Sequence, residues 1–183
     1  MKNLLIILSM HLLLNLTPQL VISTTAVRFA TTGNILNGSN KDLDVPQTDE
    51  GSQNGAFRHV LWQAKIAAEF GVSTAAEAGN AHEENPFVNL AQRKFTSLSE
   101  ADQTVDLLNN QIGREIGSKN EFKDMAEMAN LVLEEYHENG LYVANKTRDG
   151  KYTVEKAKLS DKKYNALKDL FKNLDARGRR TPK

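Results

Sequence analysis

The sequence predicts a mainly α-helical protein: a single helical-bundle-like domain with a short C-terminal β-hairpin and a final helix. Three observations predict it. Apolar residues recur at three- and four-residue spacing through four stretches between Asn54 and Leu174. Thr74/Glu77, Ser97/Glu100 and Ser118/Glu121 each place a hydroxyl three residues before a glutamate, the pattern of a helix capping box. Asp149-Gly150 stands between two β-prone runs, the signature of a tight hairpin. At 183 residues the chain can bury the core of one domain.

The N-terminus belongs to transport rather than to the fold. Lys2 precedes an apolar run from Leu4 to Leu14, broken only by Ser9 and His11. Asn15, Thr17 and Pro18 end the run, and the small residues Ser23 and Ala26 offer cleavage points. This is the anatomy of a secretory signal peptide over 1–23, with an apolar core shorter than the roughly 20 residues that span a bilayer. An uncleaved anchor is the alternative. The expected location is secreted or periplasmic. Cysteine is absent, so the exported chain must be held by its core rather than by disulfides. Gly, Asn, Ser, Asp and Gln dominate from Thr31 to Gly55, so 24–53 reads as a flexible N-terminal arm. The helical domain then covers 54–176, with a basic tail at 177–183.

Within the domain, Phe57, Leu61, Ala64 and Ala68 predict a helix from Asn54 to Phe70, closed by Gly71. Thr74 and Glu77 open a second helix, Ser73 to Glu84, whose Ala and Gly residues permit close approach to a neighbour. The connection from Asn85 to Thr96 carries Phe87, Leu90 and Phe95 toward the core. Ser97 opens a third helix with Val105, Leu108, Ile112 and Ile116 as its buried stripe. Asn109 and Asn110, beside Gly113 and Gly117, are poor helix formers there and need compensation from outside the helix. Ser118 opens a fourth helix with Phe122, Met125, Ala129, Val132 and Tyr136 facing the core. The hairpin around Asp149-Gly150 follows. The last helix, Ser160 to Leu174, turns Tyr164, Leu167, Leu170, Phe171 and Leu174 inward, and the Arg-rich end from Asp175 is expected to fray.

The formal net charge of zero hides an asymmetry. Residues 145–183 carry thirteen Lys and Arg against five Asp and Glu, whereas 24–144 carry nine against eighteen. The acidic body disfavours nucleic acid as a partner; the basic tail can contact an anionic surface or the body itself. No nucleophile elbow, phosphate-binding glycine loop or thiol nucleophile is present.

Of the three histidines beyond the signal segment, His59 and His82 lie in one short stretch, and they are the candidate general base and acid. Glu83 or Asp106 can orient an imidazole, and these four are the candidate catalytic residues. Arg58, Asn109, Asn110 and Arg114 supply donors for an oxyanion, carboxylate or phosphate, with Trp62 as an apolar wall. These five are the candidate substrate-binding residues. His59, His82 and a carboxylate from Glu83 or Asp106 would also make a three-ligand zinc set. The spacing is not His-Glu-x-x-His, so a single divalent metal such as zinc is not the favoured reading.

The stretches Asn54-Gly-Ala-Phe-Arg-His-Val-Leu-Trp, Asn80-Ala-His-Glu and Asp106-Leu-Leu-Asn-Asn-Gln-Ile-Gly-Arg114 resemble a little-characterised bacterial and phage helical domain family. Its pattern is Asp-Ala-Phe-Arg-His-x-x-Trp, Ala-His-Glu and Asp-x-x-Asn-Asn-x-x-Gly-Arg, and it is found in secreted and toxin-like chains. The resemblance covers Asn54 to Gly117 and singles out His59, His82, Asp106, Asn109, Asn110 and Arg114. It departs at Gly55, where the pattern has an acid. Two functions stay open: a secreted or periplasmic hydrolase-like domain acting on cell-envelope material or as a toxin-like effector, and a non-enzymatic binding module whose polar residues form a structural network. The partner expected is accordingly a cell-envelope substrate or a protein.

Overall fold

The computed structural model describes residues 18–36, 49–83, 85 and 88–181. Most of the expected signal peptide, the centre of the expected arm, Glu84, Pro86 and Phe87 lie outside them. Six helices and a three-stranded sheet make up the domain. They are α1 at 18–31, α2 (Gln53–Phe70), α3 (Val72–His82), β1 (Lys94–Phe95), α4 (Leu98–Ser118), α5 (Met125–Glu138), β2 (Leu141–Lys146), β3 (Tyr152–Ala157) and α6 (Asp161–Phe171). The mainly α expectation holds.

The central helix is α2. Ser52 caps it by accepting the Gly55 N–H, and twelve of its eighteen residues are buried, polar Asn54, His59, Gln63 and Lys65 among them. That much burial requires neighbours on most sides, and they are α1, α3, α4 and α5. Helix α4 runs beside α2 in the same direction: Gly51 meets Asp102, His59 meets Asn110, Gln63 meets Arg114 and Ala64 meets Gly117. The two axes come close because α4 has glycine at the contact. A Cβ on Gly113 would strike the Val60 carbonyl oxygen, and one on Gly117 the Ala64 carbonyl oxygen. The glycines that weaken α4 as an isolated helix thus let it lie against α2.

Several expectations change. The first part of the expected arm is helix α1, with Ile22, Ala26, Phe29 and Ala30 buried and Phe29 edge-on to Phe171 at 5.2 Å. Thr74 caps nothing; α3 starts at Val72 after Gly71, with no side-chain cap. Ser118 still belongs to α4, and α5 begins later behind a reciprocal box between Asp124 and Glu127. Phe122 therefore falls in the connecting turn and is 98% exposed instead of buried. Met125, Ala129, Val132 and Tyr136 are buried as the periodicity predicts. The hairpin pairs β2 with β3, Leu141 opposite Ala157, and β1 adds an edge strand the sequence does not announce, in the order β1-β3-β2. The basic end is not frayed through Thr181. Asp175 holds Arg179 at 3.0 Å, Leu174 bridges Arg180, and Arg28 of α1 donates to the Arg177 carbonyl.

Candidate functional site

Three helices deliver the polar cluster. Helix α2 brings Arg58, His59, Trp62 and Gln63; α3 ends at His82, and Glu83 turns the chain away in extended conformation. Helix α4 contributes Asp102, Asp106 and Asn110, spaced four apart and so on one face. Gly79 lets α3 close over this face, since a Cβ there would stand 3.0 Å from Gln63 Nε2 and 3.1 Å from Asn110 Nδ2.

His59 is 2% exposed, with both ring nitrogens engaged. Nδ1 lies 3.1 Å from Asn110 Oδ1, which can only accept, so Nδ1 carries the hydrogen and donates. Nε2 is then the acceptor, and Arg58 Nη2 donates to it at 3.2 Å. Asp106 Oδ2 also stands 3.2 Å from Nε2. A carboxylate against a lone pair would repel it; a protonated carboxyl fits. Burial, with Asp102 and Glu83 adding repulsion, pushes Asp106 well above the usual carboxylate range. Burial and the Arg58 charge hold the His59 imidazole down at about 3. The His59 imidazole is therefore neutral near pH 7, and the raised Asp106 carboxyl against its Nε2 lone pair is shifted toward the protonated form.

The accessible part of the site is His82 and Glu83. The His59 and His82 rings are 5.5 Å apart, and the Trp62 ring is edge-on to both, 6.1 Å from His59 and 5.5 Å from His82. Burial, with the Asp102 charge second, raises the half-buried Glu83 carboxyl to about 7. Burial and Arg58 lower the His82 imidazole. Ligand atoms of His59, His82 and Glu83 lie within 4.8 Å of one another, so among the described residues these three could hold a metal ion. Arg58, pairing with Asp49 at 3.5 Å, brings the neighbouring positive charge.

Six buried side-chain polar atoms lack a partner among the described residues: Asn54 Oδ1, Trp62 Nε1, Gln63 Nε2, Glu83 Oε1, Asn110 Nδ2 and the Tyr136 hydroxyl. All but the last belong to this cluster or to the capping loop beneath it. A buried polar group left unpaired costs about 1–3 kcal/mol. Within the described residues the network of the three helices is therefore only partly paired.

Not every expected site residue joins the cluster. Asn109 is fully buried, donates to the Tyr142 carbonyl at 2.9 Å and accepts the Tyr142 N–H at 3.0 Å. It pegs α4 to β2 and has nothing left for a substrate. Arg114 reaches the cluster only by donating to Gln63 Oε1 at 3.1 Å. Two acids were missed. Asp102, which accepts the Gly51 N–H at 2.5 Å and is raised by burial, was detectable one turn before Asp106. Asp49 had no local signal. It accepts from Asn54 at 2.6 Å and faces Arg58. A side chain at Gly55 would collide with the Asp49 backbone carbonyl oxygen, so the loop that carries Asp49 leaves no room for an acid at that position.

A family model described as a domain of unknown function (DUF6973) matches residues 12–140, and the chain belongs to that family. No curated protein and no solved structure matches the chain.

Proposed function

We propose that this DUF6973 member is a hydrolase acting outside the cytoplasm, on cell-envelope material or as a toxin-like effector of bacterial or phage origin. Glu83 is its general base. The observation that carries this reading is a half-buried carboxyl with one oxygen unpartnered, titrating near 7 beside two imidazoles. A general base works best when its pKa lies near the working pH.

In the reaction the Glu83 carboxylate takes a proton from water, whose oxygen attacks the electrophilic carbon or phosphorus. Arg58 pairs with the negative oxygen that develops. The Glu83 carboxyl, protonated in that step, hands the proton on to the leaving group, with His82 as the exposed neutral imidazole beside it. His59 is a positioning residue: its Nε2 accepts from Arg58 while Asn110 fixes its tautomer. Asp106 lies against the same Nε2 at 3.2 Å.

The test uses the purified full chain against isolated peptidoglycan and a panel of chromogenic ester, phosphate and glycoside substrates. Turnover should fall at least about a thousandfold in Glu83→Gln and about a hundredfold in Arg58→Ala, in keeping with loss of a general base and of an oxyanion donor. Dialysis against EDTA should leave it unchanged. Turnover equal in wild type and Glu83→Gln sinks the assignment. Loss on chelation with recovery on zinc would instead make His59, His82 and Glu83 ligands. The non-enzymatic module keeps one observation in its favour, the complete pairing of Asn109 within the protein.

A further inference from the structure

We propose that the end of the domain where α1 begins rests on a lipid membrane, and that the N-terminal apolar segment stays attached and inserts there. This goes beyond the hydrolase reading and does not depend on it.

The exposed large hydrophobic residues are not scattered. Among the described residues they are Leu20, Val21, Phe70, Val72 and Phe122, and they belong to the start of α1, the α2–α3 junction and the α4–α5 turn. Val21 shares a groove with Lys65 and Glu69 of the last turns of α2 and with Met125 of α5. Lys65 donates to the Lys123 carbonyl, next to Phe122, at 2.7 Å. Phe70 and Val72 flank Gly71, where α2 passes into α3. The start of α1, the α2–α3 junction and the α4–α5 turn therefore share one end. Phe122 is held there at φ 64°, a strained angle for an aromatic residue, with its ring in solvent. Monomeric proteins rarely group exposed apolar side chains without something to cover them.

The chain itself names the cover. Residue 18 enters at this end, and the residues before it carry the apolar run Leu4 to Leu14 behind Lys2. Nine apolar residues over eleven positions are too few to cross a bilayer of about 30 Å, a length suited to insertion in one leaflet. Among the described residues no helix is long and apolar enough to span. Cleavage does not fit the fold. The bonds after Ser23 and Ala26 lie inside α1, where Ile22, Thr25 and Ala26 are buried, and the family match starts at residue 12, upstream of both.

The full chain is expressed with export, fractionated, and its N-terminus determined by intact mass. The purified chain is then floated with vesicles of phosphatidylethanolamine and phosphatidylglycerol at 3:1. An intact N-terminus, recovery with membranes and vesicle binding that survives 1 M NaCl are expected. Phe122→Asp should weaken vesicle binding at least tenfold at unchanged melting temperature, and Leu20→Asp with Val21→Asp at least as much. A soluble product starting after Ser23 or Ala26 overturns the proposal. So does vesicle binding that Phe122→Asp leaves untouched, or a dimer in solution that this substitution dissolves, which would make a second copy the cover.

Discussion

Replacing Asn109 with alanine separates scaffold from site. The amide makes both its hydrogen bonds to the backbone of Tyr142, donating at 2.9 Å and accepting at 3.0 Å, in a place closed to solvent. Each such bond is worth about 0.5–1.5 kcal/mol net, and the Tyr142 N–H and C=O left behind carry a penalty of about 1–3 kcal/mol each if water cannot reach them. Alanine is the better helix former and returns up to about 0.7 kcal/mol. The net loss should be about 2–4 kcal/mol. With a urea slope near 2 kcal/mol/M for a domain of this size, the midpoint should fall by roughly 1–2 M. Below that midpoint, KM for any substrate should match wild type. A loss under about 1 kcal/mol, or a KM raised tenfold in a folded variant, would refute the peg and return Asn109 to the substrate.

Glu83 and His59 make opposite contributions to stability against pH. The Glu83 carboxyl, raised from 4.5 to about 7, gives the folded state a proton that the unfolded chain has lost. That contribution is complete below pH 4.5 and gone above 7. His59, lowered from 6.5 to about 3, contributes above pH 6.5 and loses it on acidification. Glu83→Gln removes the first alone, so its melting temperature should exceed wild type above pH 7 and fall more steeply toward pH 4.5; parallel curves would contradict the shift. Gly117→Val, with its Cβ against the Ala64 carbonyl, should cost about 1–3 kcal/mol or more by thermal melting, and a neutral result would mean α4 is not held this close.

The elements legible in the sequence are those whose information is local. The α2 stripe, the Ser97 cap and the Asp149-Gly150 hairpin each rest on residues within a few positions of one another, and each appears in the structure. Helix α1 carries the same spacing, Ile22, Ala26, Phe29 and Ala30, but its composition merges with the apolar run before it. The sequence pattern misplaces the start of α5 because Ser118/Glu121 and Asp124/Glu127 compete six residues apart. The downstream pair closes both hydrogen bonds, while the Gly117 turn is still pressed on α2. Strand β1 is two residues long and exists only through β3, so no local pattern could reveal it. In the site, His59, His82, Glu83, Asp106 and Asn110 do converge. Asp49 joins them only through tertiary folding of the loop before α2.

Adjacent asparagines with two glycines make α4 a poor helix in isolation, and the structure shows where each local cost is offset. Gly113 and Gly117 gain contact with α2. Asn109 gains two backbone bonds from β2 and has no polar atom left unpaired. Asn110, one residue on, orients His59 with its oxygen, while its nitrogen, like that of Gln63 across the helix pair, has no partner. Stability alone would favour completing that pairing as it is completed at Asn109, because a half-satisfied buried network is worse than an apolar one. On the hydrolase reading proposed above, the change from full to partial pairing between two neighbouring residues marks the line where scaffold ends and site begins. It places Asn110 and Gln63, rather than Asn109 and Arg114, on the side of function.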